Sequence, residues 1–175
     1  MLVLISYCVL AMGLIILDQV SKYWASTALL QERFIEVIPG VFEFRYTQNR
    51  GVAFSMLQDQ RWVFIPVSIF MTAVLIIMLI RSPMRRSKLF CISTILVIAG
   101  AIGNLIDRVV LGYVIDFLYF SLIDFPIFNF ADCCVVIGAV LLSVYMIFGA
   151  KDLENLPLRT LFFGINKKQE ELTDG

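Results

Sequence analysis

The stretch WVFIPVSIFMTAVLIIMLI fills Trp62 to Ile80, RSPMRRSK follows over 81–88, and LFCISTILVIAGAIGNLI runs from Leu89 to about Ile106. The two apolar runs are parted by eight residues, four of them basic and none acidic. A hydrocarbon core of about 30 Å is crossed by about 20 apolar residues in a helix, so the stretch reads as two membrane spans joined by a short link. Lysine and arginine are retained on the cytoplasmic side, which puts the 81–88 link there. Working outward, Leu2–Trp24 and about Phe130–Ala150 are apolar blocks of the same kind. The chain therefore reads as an all-α membrane protein with four transmembrane helices. Residues 1–150 form a single membrane domain, and 151–175 form a polar tail on the cytoplasmic side, with both termini on that side.

Composition agrees. Of 175 residues, 60% are hydrophobic and 16% charged, against about 45–50% and about 25% in soluble domains. A net charge of zero gives no reason to expect a nucleic-acid partner. The chain has no histidine, which excludes Ser/His and Cys/His nucleophile pairs and weakens any metal-site reading. Cys8, Cys91, Cys133 and Cys134 show no CxxC spacing and read as small hydrophobes. Neither metal nor cofactor is expected. The first block has no basic n-region and exceeds the 7–15 apolar residues of a signal peptide, so it reads as an uncleaved helix.

The two outer links differ in character. In the first, Phe42, Phe44 and Tyr46 alternate with Glu43, Arg45 and Thr47, the period of a half-buried strand. Pro39-Gly40 is a turn signal with Phe34 to Ile38 as a partner strand, so a small extracytoplasmic sheet is expected over about 34–47. The second, Phe117 to Phe128, is dense in aromatic residues, which favour the headgroup level.

Ionisable groups within or beside spans are costly and usually functional. Asp18, Lys22, Asp107, Arg108, Asp116 and Asp132, with Asn49, Asn104 and Asn129, all fall toward the outer face under this topology. Asp18 and Lys22, at i and i+4, can pair. Ser21 and Lys22 point about 100° apart and cannot share a proton readily. Asn104, Asp107 and Arg108 share one helix face, either as a polar terminus that anchors the span or as a group that holds substrate. Asp132 lies in the first turn of the fourth block with Asn129 as its cap. Asp116 is an acid set among apolar neighbours. Two carboxylates close together in a partly dry site cannot both ionise, which suits one as a base toward water and the other as an acid toward a peptide carbonyl. Gly51, in Asn49-Arg-Gly-Val-Ala-Phe54, permits close backbone approach.

Read in order, Asp18-Gln-Val-Ser-Lys22, Asn49-Arg-Gly-Val-Ala-Phe54, Gly100-Ala-Ile-Gly-Asn-Leu-Ile-Asp-Arg108, Val114-Ile-Asp-Phe117 and Phe128-Asn-Phe-Ala-Asp132 resemble the lipoprotein signal peptidase family, also called signal peptidase II. The resemblance implies an aspartyl endopeptidase embedded in the bacterial inner membrane, in contact with membrane lipid; a monomer is the default expectation. It would cleave diacylglyceryl-modified prolipoproteins before the lipid-modified cysteine. It also implies a catalytic pair at Asp116 and Asp132. Asn49, Gly51, Asn104, Arg108 and Asn129 would contact substrate or shape the site, and Asp18, Lys22 and Asp107 would support it. Ala99, Val52, Phe130 and Cys133 depart from the residues common at those positions. A transporter or channel would need polar residues through the midplane, and blocks two and four have almost none. A purely structural protein would not need acids and amides gathered at one face.

Overall fold

The structure is a computed structural model and describes residues 2–30, 32, 34–51 and 61–149. The Val52–Phe54 part of the second motif and the tail from 151 lie outside the described residues. Four long helices dominate: α1 (Leu2–Ala28), α2 (Arg61–Arg81), α3 (Lys88–Val110) and α4 (Phe130–Val144), the last continuing as a π-helical turn over Tyr145–Gly149. All four are long and apolar enough to cross a membrane. Their outward faces carry exposed apolar side chains such as Val9, Ile16, Phe70 and Val136, as expected where lipid is the solvent. The helices run further than the apolar blocks at two ends. α1 continues past Trp24 to Ala28, and α3 passes Ile106 to Val110, taking Asp107 and Arg108 into its last turns.

α3 is the hub and packs against each of the other three helices. Its buried face includes Phe90, Ser93, Thr94, Ile95, Ile98, Gly100 and Asn104. Ser93 and Thr94 return their hydroxyls to the Phe90 carbonyl, so no polar atom faces lipid there. The α3–α4 seam is close at Gly138, where an added Cβ would lie 2.8 Å from the Ser93 carbonyl oxygen and 2.8 Å from Val97 Cγ2. A backbone carbonyl cannot step aside as a side chain end can. Gly138→Ala is therefore expected to destabilise the protein by roughly 1–3 kcal/mol, the usual cost of overpacking. Thermal unfolding in detergent checks this.

The sheet has one strand more than the sequence reading assigned. β1 (Ile35–Ile38) and β2 (Phe42–Asn49) form the expected hairpin, and β3 (Val114–Tyr119) pairs antiparallel with β2 on its other edge. Phe117 is thus buried in the sheet's core with Ala25, Leu29 and Ile115. Phe128 returns to pair with Leu118, closing the loop just before α4. That pairing sets Asn129 and Asp132 beside the strand that carries Asp116.

Candidate active site

Four elements meet at the sheet: the last turns of α1 and α3, strand β3, and the first turn of α4. Asn129 is the N-cap of α4, and its Oδ1 accepts from the Asp132 amide at 2.9 Å. The Asp132 Oδ2 accepts from the Asn129 amide at 3.1 Å, completing a reciprocal capping box. This fixes the Asn129 side chain, so its Nδ2 must face away from the helix. It donates to Asp116 Oδ1 at 2.6 Å and to Asn104 Oδ1 at 3.1 Å. Asn104 in turn donates from Nδ2 to Asp132 Oδ1 at 2.7 Å. One buried amide thus reaches the first carboxylate, and a second amide reaches the other.

Asn49, at the end of β2, donates to the remaining Asp116 oxygen at 2.9 Å. Its own Oδ1 accepts from the Gly51 amide at 3.0 Å, so the turn orients the side chain toward Asp116. Asp116 is 2% exposed, whereas Asp132 is only partly buried. Burial, and after it the nearby charge of Asp132, pushes the Asp116 carboxyl up to about 7, against the opposing donations of Asn49 and Asn129.

Behind this pair lies a buried ion network. Lys22 Nζ sits 2.9 Å from Asp18 Oδ2 and 2.9 Å from Asp107 Oδ2, with all three side chains nearly inaccessible. The expected Asp18–Lys22 pair is present, and Asp107 joins it. Lys22 also donates to Asn104 Oδ1 at 2.9 Å, which ties the network to the amide that holds Asp132. Asp18 Oδ1 accepts from the Ala131 amide at 2.9 Å, so a carboxylate of α1 caps the N-terminus of α4. Gly103 makes this approach possible, since a Cβ there would collide with the Asp18 carboxylate. Asp107 Oδ2 also accepts from the Ile115 amide at 3.2 Å, anchoring β3 one residue before Asp116. Ser21 donates to the Asp18 carbonyl and takes no part in the network.

Arg108 donates to the Asn104 carbonyl at 3.3 Å, and its guanidinium carbon lies 6.0 Å from the Phe64 ring centre. Among the described residues it has no carboxylate within ion-pair distance. Most of its five donors are left for another acceptor.

All ten singled-out residues (Asp18, Lys22, Asn49, Gly51, Asn104, Asp107, Arg108, Asp116, Asn129 and Asp132) lie in this one region. Gln19 was not among them. Its Nε2 donates to Asp18 Oδ2 and Asp107 Oδ1, each at 3.1 Å, and to the Gly103 carbonyl at 3.2 Å. Its place directly after Asp18, inside the first of the motifs quoted above, was the sign the sequence offered. Asn129→Ala is expected to lower stability by about 1 kcal/mol through loss of the cap. Because it also frees Asp116 Oδ1, it should reduce activity more than a surface cap would, a difference read by pairing unfolding with a cleavage assay.

The family description "Signal peptidase (SPase) II" matches residues 10–148. A lipoprotein signal peptidase of Streptococcus thermophilus (strain CNRZ 1066) is 42% identical over 135 residues, covering 77% of this chain and 88% of its own. One of Clostridioides difficile (strain 630) is 41% identical over 143 residues, covering 81% and 95%. Among solved structures, a bacterial membrane enzyme determined by the in meso method at 2.3 Å superposes with a TM-score of 0.78 at 29% identity, covering 87% of this chain and 94% of its own. With its fold, its order of motifs and its relatives in agreement, the chain belongs to the signal peptidase II family.

Proposed function

We propose that this peptidase is an aspartyl endopeptidase of the bacterial cytoplasmic membrane that removes the signal peptide from diacylglyceryl-modified prolipoproteins, cleaving just before the lipid-modified cysteine. The observation that carries the reading is the placement of Asp116 and Asp132 on the two sides of the Asn129–Asn104 amide pair, one carboxylate buried and the other open to the site. Two such carboxylates share one proton near neutrality. The ionised one takes a proton from water as the water oxygen adds to the scissile carbonyl carbon. The protonated one donates to the carbonyl oxygen. As the tetrahedral intermediate collapses, the C–N bond breaks, the leaving amine takes up the proton gained from water, and a hydroxyl of the intermediate returns a proton to the other carboxylate, restoring the pair. No histidine, serine or metal is required.

The other roles follow from the contacts. Arg108, with donors free, binds a substrate carbonyl, and Asn49, Gly51, Asn104 and Asn129 hold the carboxylates and line the approach. Asp18, Lys22 and Asp107 keep the ends of α1, α3 and α4 together beneath them. A diacylglyceryl anchor, gaining about 0.8 kcal/mol per buried CH₂, holds the scissile bond at the interface. Asp132 in the first turn of α4 and Asp116 on the adjoining strand β3 suit an enzyme that works at that depth. In this reading the protein acts as a monomer, with both termini cytoplasmic and the site toward the outer face.

The test is cleavage by purified protein of one prolipoprotein with and without diacylglyceryl on its cysteine, the product located by mass spectrometry. The modified form is expected to be cut directly before the cysteine. No cut, a cut elsewhere, or equal cutting of the unmodified form overturns the reading.

A further inference from the structure

The end of the bundle opposite the acids carries a charge pattern that the proteolytic site does not use. Every described Asp and Glu belongs to the outer turns of α1, α3 and α4 or to the sheet and the links to it. At the other end stand Arg81, Arg85 and Lys88, all exposed, with no described carboxylate in ion-pair range.

The segment bearing them is a fixed piece of structure. Residues Pro83–Arg86 form a 3₁₀ turn whose N-cap, Ser82, accepts from the Met84 amide at 3.2 Å. Ser82 is fully buried, and Met84, 1% exposed, plugs an apolar cluster of Met78, Phe90, Cys91 and Tyr145 drawn from α2, α3 and the turn after α4. Cys91 Sγ reaches the Arg85 carbonyl at 3.1 Å, and Arg85 Nη1 donates to the Ile80 carbonyl at 2.6 Å. The Arg85 guanidinium is thus held at the end of α2, with no other acceptor among the described residues. Ser87 caps α3, accepting from the Phe90 amide at 3.4 Å. The amides of Lys88 and Leu89 precede the first intrahelical bond, and a helix start of this kind attracts phosphate.

We propose that the 81–88 turn is a docking site for the phosphate headgroup of an anionic phospholipid in the leaflet at that end of the bundle. Charge complementarity selects the ligand. Retention of basic residues on the cytoplasmic side sets these cations at a leaflet whose negative surface potential favours each nearby Lys or Arg. Because the turn is pinned by Ser82 and Met84, little ordering is lost on binding. The lipid site fixes the depth and tilt of α2 and α3 from below and takes no part in peptide cleavage.

The experiment uses the purified full chain in nanodiscs that mix phosphatidylcholine with phosphatidylglycerol, with retained lipid read by native mass spectrometry. Wild type is expected to retain phosphatidylglycerol selectively. Arg81→Gln with Lys88→Gln should lower that selectivity by about five-fold per charge, roughly twenty-five-fold in all. The charge-conserving pair Arg81→Lys with Lys88→Arg should keep most of it. Equal thermal midpoints in pure phosphatidylcholine discs show that the loss is not unfolding. Unchanged selectivity in the glutamine variant overturns the proposal. So does inorganic phosphate that stabilises the protein in phosphatidylcholine discs as well as phosphatidylglycerol does.

Discussion

Cleavage is expected to fall by on the order of 10⁴-fold when either Asp116 or Asp132 is replaced by asparagine, since general acid–base catalysis supplies roughly 10²–10⁴ and an amide can neither take the proton from water nor return it. The two losses should not add, because the pair works as one unit. Each substitution also carries a structural cost. Both oxygens of Asp116 accept from amide groups, and both oxygens of Asp132 accept from Asn104 and the Asn129 backbone. An asparagine at either position sets one donor against another, worth about 1–3 kcal/mol. Rates are therefore compared at equal folded concentration, with unfolding midpoints measured on the same samples. A folded variant keeping about a tenth of the wild-type rate would contradict the roles given to these residues.

The largest stability effect is expected at Lys22. Lys22→Met leaves Asp18 and Asp107 buried with no cation between them, where the wild type holds both at 2.9 Å. Breaking a buried ion group by removing one partner costs about 3–5 kcal/mol. Adding Asp107→Asn to Lys22→Met should recover part of that loss, because one of the two stranded charges is gone. The damage should also spread to activity, since Lys22 holds Asn104, and Asn104 holds Asp132. The check is a double-mutant cycle by thermal unfolding. An unchanged midpoint for Lys22→Met would mean that the network contributes nothing to the fold.

Local pattern made much of this legible. Four apolar blocks gave four helices, the Phe42/Phe44/Tyr46 alternation gave the first hairpin, and Asn129 with Asp132 gave the cap of α4. Strand β3 was not legible because Val114 to Phe117 are all buried, which removes the polar alternation that betrays a strand with one wet face. Its pairing with β2 joins residues far apart in sequence, such as Thr47 and Asp116. Spacing along one helix likewise revealed the Asp18–Lys22 pair. It could not reveal that Asp107 and Asn104 share the same ammonium, or that Asp18 caps α4, because those contacts cross from one helix to another. The turn at 81–88 read only as charge. Its rigidity comes from Met84, one apolar residue among basic ones, filling a cavity between helices.

The central claim is that Asp116 and Asp132 share one proton that hydrolysis needs, and the pH dependence of kcat/KM tests it most directly. Asp116 titrates at about 7, above the ordinary carboxylate value of 3.8. It therefore holds its proton below that point and loses it as pH rises through it. The same sign applies to stability: the contribution of this group is fully present below its unfolded pKa and is lost as pH rises through about 7. Folded fraction is accordingly followed at each pH. The account predicts that kcat/KM of the folded enzyme falls with rising pH from about 7, with the slope of a single lost proton. A rate that stays level or keeps rising to pH values well above that, with the protein folded throughout, would contradict it.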